Sequence, residues 1–237
     1  MILFWDVRTT AASSAPPSTC RFRLFRRRPT VTIEPPKKEE STSGMGGWNI
    51  PGTLAFYPTL AYNLLRNYVQ PSRWQWYSRV DENLILGALP FKSMIPELKA
   101  ENVGGVVCCT EEFETKAAYN GMSADEWKEA DVKFHHVPMQ DFIGSTSRQN
   151  LHDAVQFIDA VAKEGRTVYV HCKAGRTRSA TVAVCFLMHK YAFSPQEAMA
   201  AVTRARPQAL LRTAHWNSVH DYRAFLDGQT TTKEEAT

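Results

Sequence analysis

No C-x-x-C pair occurs in this chain. Its five cysteines (Cys20, Cys108, Cys109, Cys172 and Cys185) are an odd set without the even rhythm of a disulfide framework. A reducing compartment suits them. No G-x-x-x-x-G-K-[ST] run is present, which removes the phosphate loop of nucleotide-binding proteins. The histidines form no metal-ligand pattern. His135 and His136 are adjacent, so on a strand they point to opposite faces, and His215 and His220 lie five apart, off the i, i+4 spacing of a helical ligand pair. No metal and no cofactor is expected. The net charge is only +4 over 237 residues, so composition does not mark the whole chain as a nucleic-acid binder.

Against these absences one stretch stands out. Residues 168–180 read VYVHCKAGRTRSA. The apolar run ending at Val170 predicts a buried strand, and apolar periodicity resuming at Ala180, Val182, Val184, Phe186 and Leu187 predicts a helix. Between them lies a loop with Cys172 at its start, Arg178 at its end and five residues between. A strand-to-helix loop of this kind is an anion site: backbone N–H groups point outward and the helix dipole favours negative charge.

Each residue type in the loop has a chemical use. A thiol beside basic side chains and a helix N-terminus is pulled below its free pKa of about 8.5, and the thiolate is the nucleophile. Arg178 offers a planar fork that matches two phosphoryl oxygens. Gly175 lets the backbone turn and approach a ligand closely. Ser179 puts a hydroxyl where it steadies the leaving sulfur. Ala174 and Thr177 complete the cradle, and His171 supports it. The implied reaction is phosphoryl transfer to Cys172, then hydrolysis of the cysteinyl-phosphate. The alternative, a buried inert cysteine with a chance arginine, does not account for strand, H-C-x5-R-S and helix occurring together. Lys173 and Arg176 add two charges beside Arg178, which suits a more highly anionic ligand than phosphotyrosine, such as a phospholipid phosphate with a second phosphodiester. Generic lowering of the thiol pKa is the plainer use of the same charges.

A leaving alkoxide needs a proton. Asp141, in PMQDFIG, is a lone acid on a loop just after an expected strand and ahead of the nucleophile. It is the expected general acid, and as carboxylate the base that activates water. Asp153 is the fallback, but it falls within an expected helix.

The chain divides by composition. Residues 1–45 hold Arg8, Arg21, Arg23, Arg26, Arg27 and Arg28, with few acids and many Ser, Thr and Pro; this reads as a transit-like leader or a disordered basic tail. Met45 is a candidate second start. Residues 46–75 form an aromatic segment. No charge occurs from 41 to 65, but Pro51 and Pro58 interrupt the apolar run, so a helix lying at a membrane interface is preferred to a true span. A helix packed on the domain core is the alternative. Residues 76–228 make the catalytic domain, with a strand, turn and strand expected over 79–89, strands at 103–109 and 132–137 and helices at 123–130, 147–163, 177–190, 194–206 and 213–226. Residues 229–237 are an expected disordered tail. The order predicts an α/β fold with a central mixed sheet flanked by helices and the site at a strand's carboxyl end.

The H-C-x5-R-[ST] match from His171 to Ser179 resembles the cysteine-dependent protein tyrosine and dual-specificity phosphatases. A closer resemblance runs over residues 50–227. FYPTLAYNLLRN, WYSRVDENLILGALP, VVCCTEEFET and HCKAGRTRSA are similar to the mitochondrial dual-specificity phosphatases that act as phosphatidylglycerophosphate phosphatases. The run Glu111, Glu112, Phe113, Glu114 matches that family's acidic E-E-Y-E loop beside the pocket, with Phe113 in place of Tyr. Ile143 stands where the family has Thr. The resemblance implies a dual-specificity-phosphatase fold and removal of the terminal phosphate of phosphatidylglycerophosphate on the route to cardiolipin. It also implies attachment to the mitochondrial inner membrane, so the expected partners are a phospholipid phosphate and a membrane surface, without nucleic acid or metal. The alternatives are a phosphoinositide or protein tyrosine/dual-specificity phosphatase, or a phosphate-binding module without turnover.

Overall fold

The computed structural model describes residues 50–118, 120–141 and 144–234. The expected leader, the Met45 start and Ile143 lie outside the described residues. The sheet has five strands in the order β1 (Tyr77–Asp81), β2 (Leu84–Gly87), β5 (Thr167–His171), β3 (Val103–Cys108), β4 (Lys133–His136). β1 runs antiparallel to β2, and the other neighbours are parallel. The sheet is therefore mixed, and β5 is its central strand.

Both faces of the inner strands are covered, so their sequences read as apolar runs rather than alternations. Successive side chains still part to opposite sides. Leu84, Leu86, Val107, Val168 and Val170 face the helices α5 (Arg148–Lys163) and α6 (Arg178–Tyr191). Ile85, Val106 and Tyr169 face Leu98 of α2 (Ile95–Ala100) and Trp127 of α4 (Ala124–Glu129). α5 presents Leu151, Ala154, Val155, Ile158 and Val161 inward, the stripe expected at helical spacing. α6 is buried almost all round, lying among α5, α7 (Pro195–Ala205) and α8 (Thr213–Glu234). Ser123 accepts from the Glu126 backbone while Glu126 reaches back, so α4 starts with the capping box read from the sequence.

Two boundaries differ from the sequence reading. α8 continues to Glu234, past the expected domain end at 228, because no residue beyond Gly228 forces a stop. The aromatic segment 46–75 is not separate from the globular unit. It forms α1 (Ile50–Val69), whose Phe56 and Leu60 pack against Leu89, Ala118, Trp76 and Phe91. Pro58 sits within the helix. Tyr57, Leu64, Leu65, Tyr68 and Val69 remain exposed on the other side, Tyr68 at 86%. The segment is amphipathic about a protein core on one face. Among the described residues no helix is long and apolar enough to cross a membrane.

Candidate active site

β5 ends at His171, and α6 begins at Arg178. The loop between them closes over the sheet's carboxyl edge. Gly175 adopts φ +63°, and a Cβ there would lie 2.3 Å from the Gly87 carbonyl oxygen. Left-handed backbone and close approach to β2 thus both require glycine. The loop's carbonyls are drawn away from its mouth. Arg206 Nε donates to the Gly175 carbonyl at 2.6 Å and Nη2 to the Ala174 carbonyl at 3.3 Å. The Leu89 and Leu210 amides take the carbonyls of Lys173 and Arg176.

Cys172 lies buried at the base. The Ser179 hydroxyl donates to its sulfur at 3.3 Å. Burial alone would push the thiol up. The charge of Arg178, the Ser179 hydroxyl and the backbone amides of Ser179 and Arg176 outweigh it and hold the thiol below its ordinary value. The buried Cys109 and Cys185 go the other way: burial drives both upward, in Cys109 against the smaller pull of the Arg178 charge. Burial also holds His171 neutral, with a pKa lowered to about 4.

Arg178 is 2% exposed and fixed from two sides. Its Nη1 and Nη2 meet the two oxygens of Glu114 at 2.5 and 3.1 Å, and Nη1 also donates to the Met139 carbonyl at 3.0 Å. Burial opposes the guanidinium charge, but Glu114, Cys172 and Asp141 raise the pKa above its usual value. Glu114 is placed by local helix chemistry: it is the third residue of α3 (Glu112–Ala117), and its carboxylate also accepts the Glu111 N–H at 3.0 Å in a capping box. Glu111 is half-buried beside it, and burial with the Glu114 charge raises its pKa. Glu112 is a correction to the sequence reading. One position along the helix, it turns outward, 79% exposed, and pairs with Lys116.

Asp141 reaches Arg178 Nη2 at 3.1 Å and pairs with Lys173. Lys173 is buried, with Nζ 5.6 Å from the centre of the Phe56 ring of α1. Arg176 lies over Trp74 and donates to the Gln208 carbonyl. Asp153 stays on α5, bonded to Gln149. His135 stacks on Phe157, and His136 bonds the Thr110 carbonyl. Among the described residues no group of three acids, cysteines or histidines is disposed to hold a metal.

These side chains line a cleft of about 150 Å³ with Cys172, Arg178, Asp141 and Lys173 at its inner end. Its walls include residues the sequence reading missed: Thr59, Tyr62 and Asn63 of α1, and Arg212 and His215 at the start of α8. In the sequence His215 is notable only for lying off ligand spacing from His220. No local signal marks any of them, since they are joined to the loop only by tertiary packing.

A family model described as dual specificity phosphatase, catalytic domain, matches residues 98–225. The chain belongs to the dual-specificity phosphatase family. It is thus a cysteine-based phosphatase, a phosphoric monoester hydrolase. Among relatives, phosphatidylglycerophosphatase and protein-tyrosine phosphatase 1 of Mus musculus is 39% identical over 171 residues, 71% of this chain and 88% of that protein. Phosphatidylglycerophosphate phosphatase PTPMT1 of Arabidopsis thaliana is 38% identical over 70% of this chain and 48% of its own length. The crystal structure of PTPMT1 in complex with PI(5)P is similar in fold, with a TM-score of 0.63 and 34% identity over 66% of this chain and 99% of that one. The α/β dual-specificity phosphatase fold expected from the loop is the fold observed.

Proposed function

We infer that this phosphatase removes the terminal phosphate of phosphatidylglycerophosphate, leaving phosphatidylglycerol, through a cysteinyl-phosphate. The observation that carries the chemistry is the convergence of a depressed thiol, a bidentately anchored guanidinium and a carboxyl group on one cleft. Arg178 and the loop amides hold the phosphoryl oxygens and stabilise charge as it spreads in the transition state. The Cys172 thiolate attacks phosphorus, the bond to the glycerol oxygen breaks, and Asp141 protonates that oxygen. Incoming phosphate competes with Asp141 for Arg178 and Lys173; the displaced carboxylate takes up a proton, from the substrate's phosphate monoanion or from water, and turns toward the leaving atom. In the second half-reaction Asp141 takes a proton from water, water attacks phosphorus, and the thiolate leaves toward the Ser179 hydroxyl. Inorganic phosphate is released.

The lipid substrate is supported by the printed names of relatives aligned over most of their length. It is also supported by the cations Lys173, Arg176 and Arg212 around the cleft beyond Arg178. Phosphoinositide is the second reading, favoured by the PI(5)P complex of the structural neighbour. The exposed aromatic and aliphatic face of α1 supports docking at a membrane surface. With the basic leader it supports residence at the mitochondrial inner membrane. The test is a panel on the full chain: phosphate release from phosphatidylglycerophosphate, phosphoinositides and phosphotyrosine peptides in vesicles or solution. Preferential turnover of phosphatidylglycerophosphate, abolished by Cys172→Ser, is expected. A preference for the peptides would sink the lipid assignment.

A further inference from the structure

His215, on the first turn of α8, is 1% exposed, and neither ring nitrogen makes a well-formed hydrogen bond among the described residues; the Gly144 backbone offers one of them a weak one. Buried polar groups left without partners are rare, because each forfeits its bonds to water. This one lines the cleft that holds Cys172, Asp141 and Arg178. A ligand there is the natural partner for it. The phosphoryl oxygens are already provided for by Arg178 and the loop, so the imidazole is left for another part of the substrate.

Its chemistry narrows what that part is. Burial and the nearby charges of Arg212 and Arg178 hold the ring below its ordinary pKa, while Asp141 and the Gly144 backbone pull the other way. A neutral imidazole is one donor and one acceptor. With the N–H turned to the Gly144 carbonyl, the other nitrogen can only accept; an ester oxygen has no proton to give it, whereas a hydroxyl has.

We propose that His215 is a specificity-determining residue that reads a free hydroxyl on the alcohol bearing the phosphate, so that the cleft prefers polyol phosphates to simple alkyl phosphates. The identity of the polyol rests on the lipid reading above. Phosphatidylglycerophosphate carries a secondary hydroxyl on the carbon next to the one holding its terminal phosphate, within the span of one small cleft.

The experiment compares kcat/KM of the full chain on phosphatidylglycerophosphate and on the same lipid with that hydroxyl replaced by hydrogen. The native enzyme favours the hydroxylated lipid by about 10- to 100-fold. In His215→Leu the ratio falls to near one. In His215→Gln, whose amide supplies both a donor and an acceptor, most of the ratio returns. A native ratio near one, or a ratio unchanged in His215→Leu, overturns the proposal. Should neither lipid react, the ratio is read on glycerol 3-phosphate against propyl phosphate. The lipid assignment then fails, while a ratio above one that His215→Leu removes still upholds the role of His215, and a ratio of one overturns it.

Discussion

Two buried arginines grip the same loop from opposite sides. Arg178, at the mouth, is met by the carboxylates of Glu114 and Asp141. Arg206, at the back, is met among the described residues by carbonyl and hydroxyl oxygens: Gly175, Ala174, Gln75, Trp76 and Ser78. The electrostatic outcome follows. Carboxylate and thiolate partners raise the pKa of Arg178, whereas burial, only partly offset by Tyr169 and Cys172, lowers that of Arg206 to about 10. Asp141 can yield its place on Arg178 to a phosphate, since both are anions of similar reach. Backbone carbonyls cannot leave. The mouth therefore holds a guanidinium that can exchange partners during turnover, and the back holds one that fixes the shape of the cradle.

The strongest way to test this difference is to remove the mouth arginine. Arg178→Ala is expected to lower kcat by about 10³- to 10⁵-fold, as loss of a transition-state arginine does elsewhere, in steady-state assays with an aryl phosphate. Next comes its exchangeable partner. Asp141→Ala is expected to slow turnover by about 10²- to 10⁴-fold on a substrate with a poor leaving group and to cost far less on one with a good leaving group; equal losses on both would remove it as the acid. Glu114→Ala strips Arg178 of its bidentate anion and leaves the buried charge with Asp141 as its remaining carboxylate partner. Denaturant unfolding should record a loss of about 3–5 kcal/mol.

A smaller effect concerns His171, which joins β5 to the cradle. Its folded pKa of about 4 lies below the ordinary 6.5. Between those values the unfolded chain binds a proton that the folded chain refuses, so stability is complete above pH 6.5 and is lost as the pH falls toward 4. The loss totals roughly 3 kcal/mol. His171→Asn should flatten the melting temperature against pH over this window. Arg206→Met closes the series. It leaves backbone acceptors without their donor and should destabilise by about 1–3 kcal/mol. Because Arg206 is also electrostatically coupled to Cys172, the acid limb of kcat/KM should move to higher pH. A folded Arg206→Met as inactive as Arg178→Ala would erase the distinction between mouth and back.

What was legible in the sequence is what is contiguous in the chain. Strand, loop and helix from Thr167 to Tyr191 are adjacent in sequence, so their order, the glycine and the position of Cys172 could be read together. Asp141 was legible because a lone acid follows β4 on a loop. The acidic run was set beside the pocket only through the family resemblance, and not residue by residue: helical phase buries Glu114 against Arg178 and turns Glu112 to solvent. Arg206 reaches the Gln75 carbonyl across 131 positions, and His215 and Asn63 meet at the cleft from opposite ends of the domain. No periodicity or motif encodes such meetings. They follow from the packing of α1 and α8 on the sheet.

The place of α1 bears on how this phosphatase is handled at the bench. The matched family region opens at residue 98, but a cut there removes β1 and β2; a cut at Trp76, where the composition changes, keeps the sheet, the nucleophile and its arginine but discards Thr59, Tyr62 and Asn63. Such a trimmed enzyme would hydrolyse small chromogenic esters while lacking one side of its own binding groove. Its apparent tolerance of many substrates would then report the missing helix rather than the natural preference.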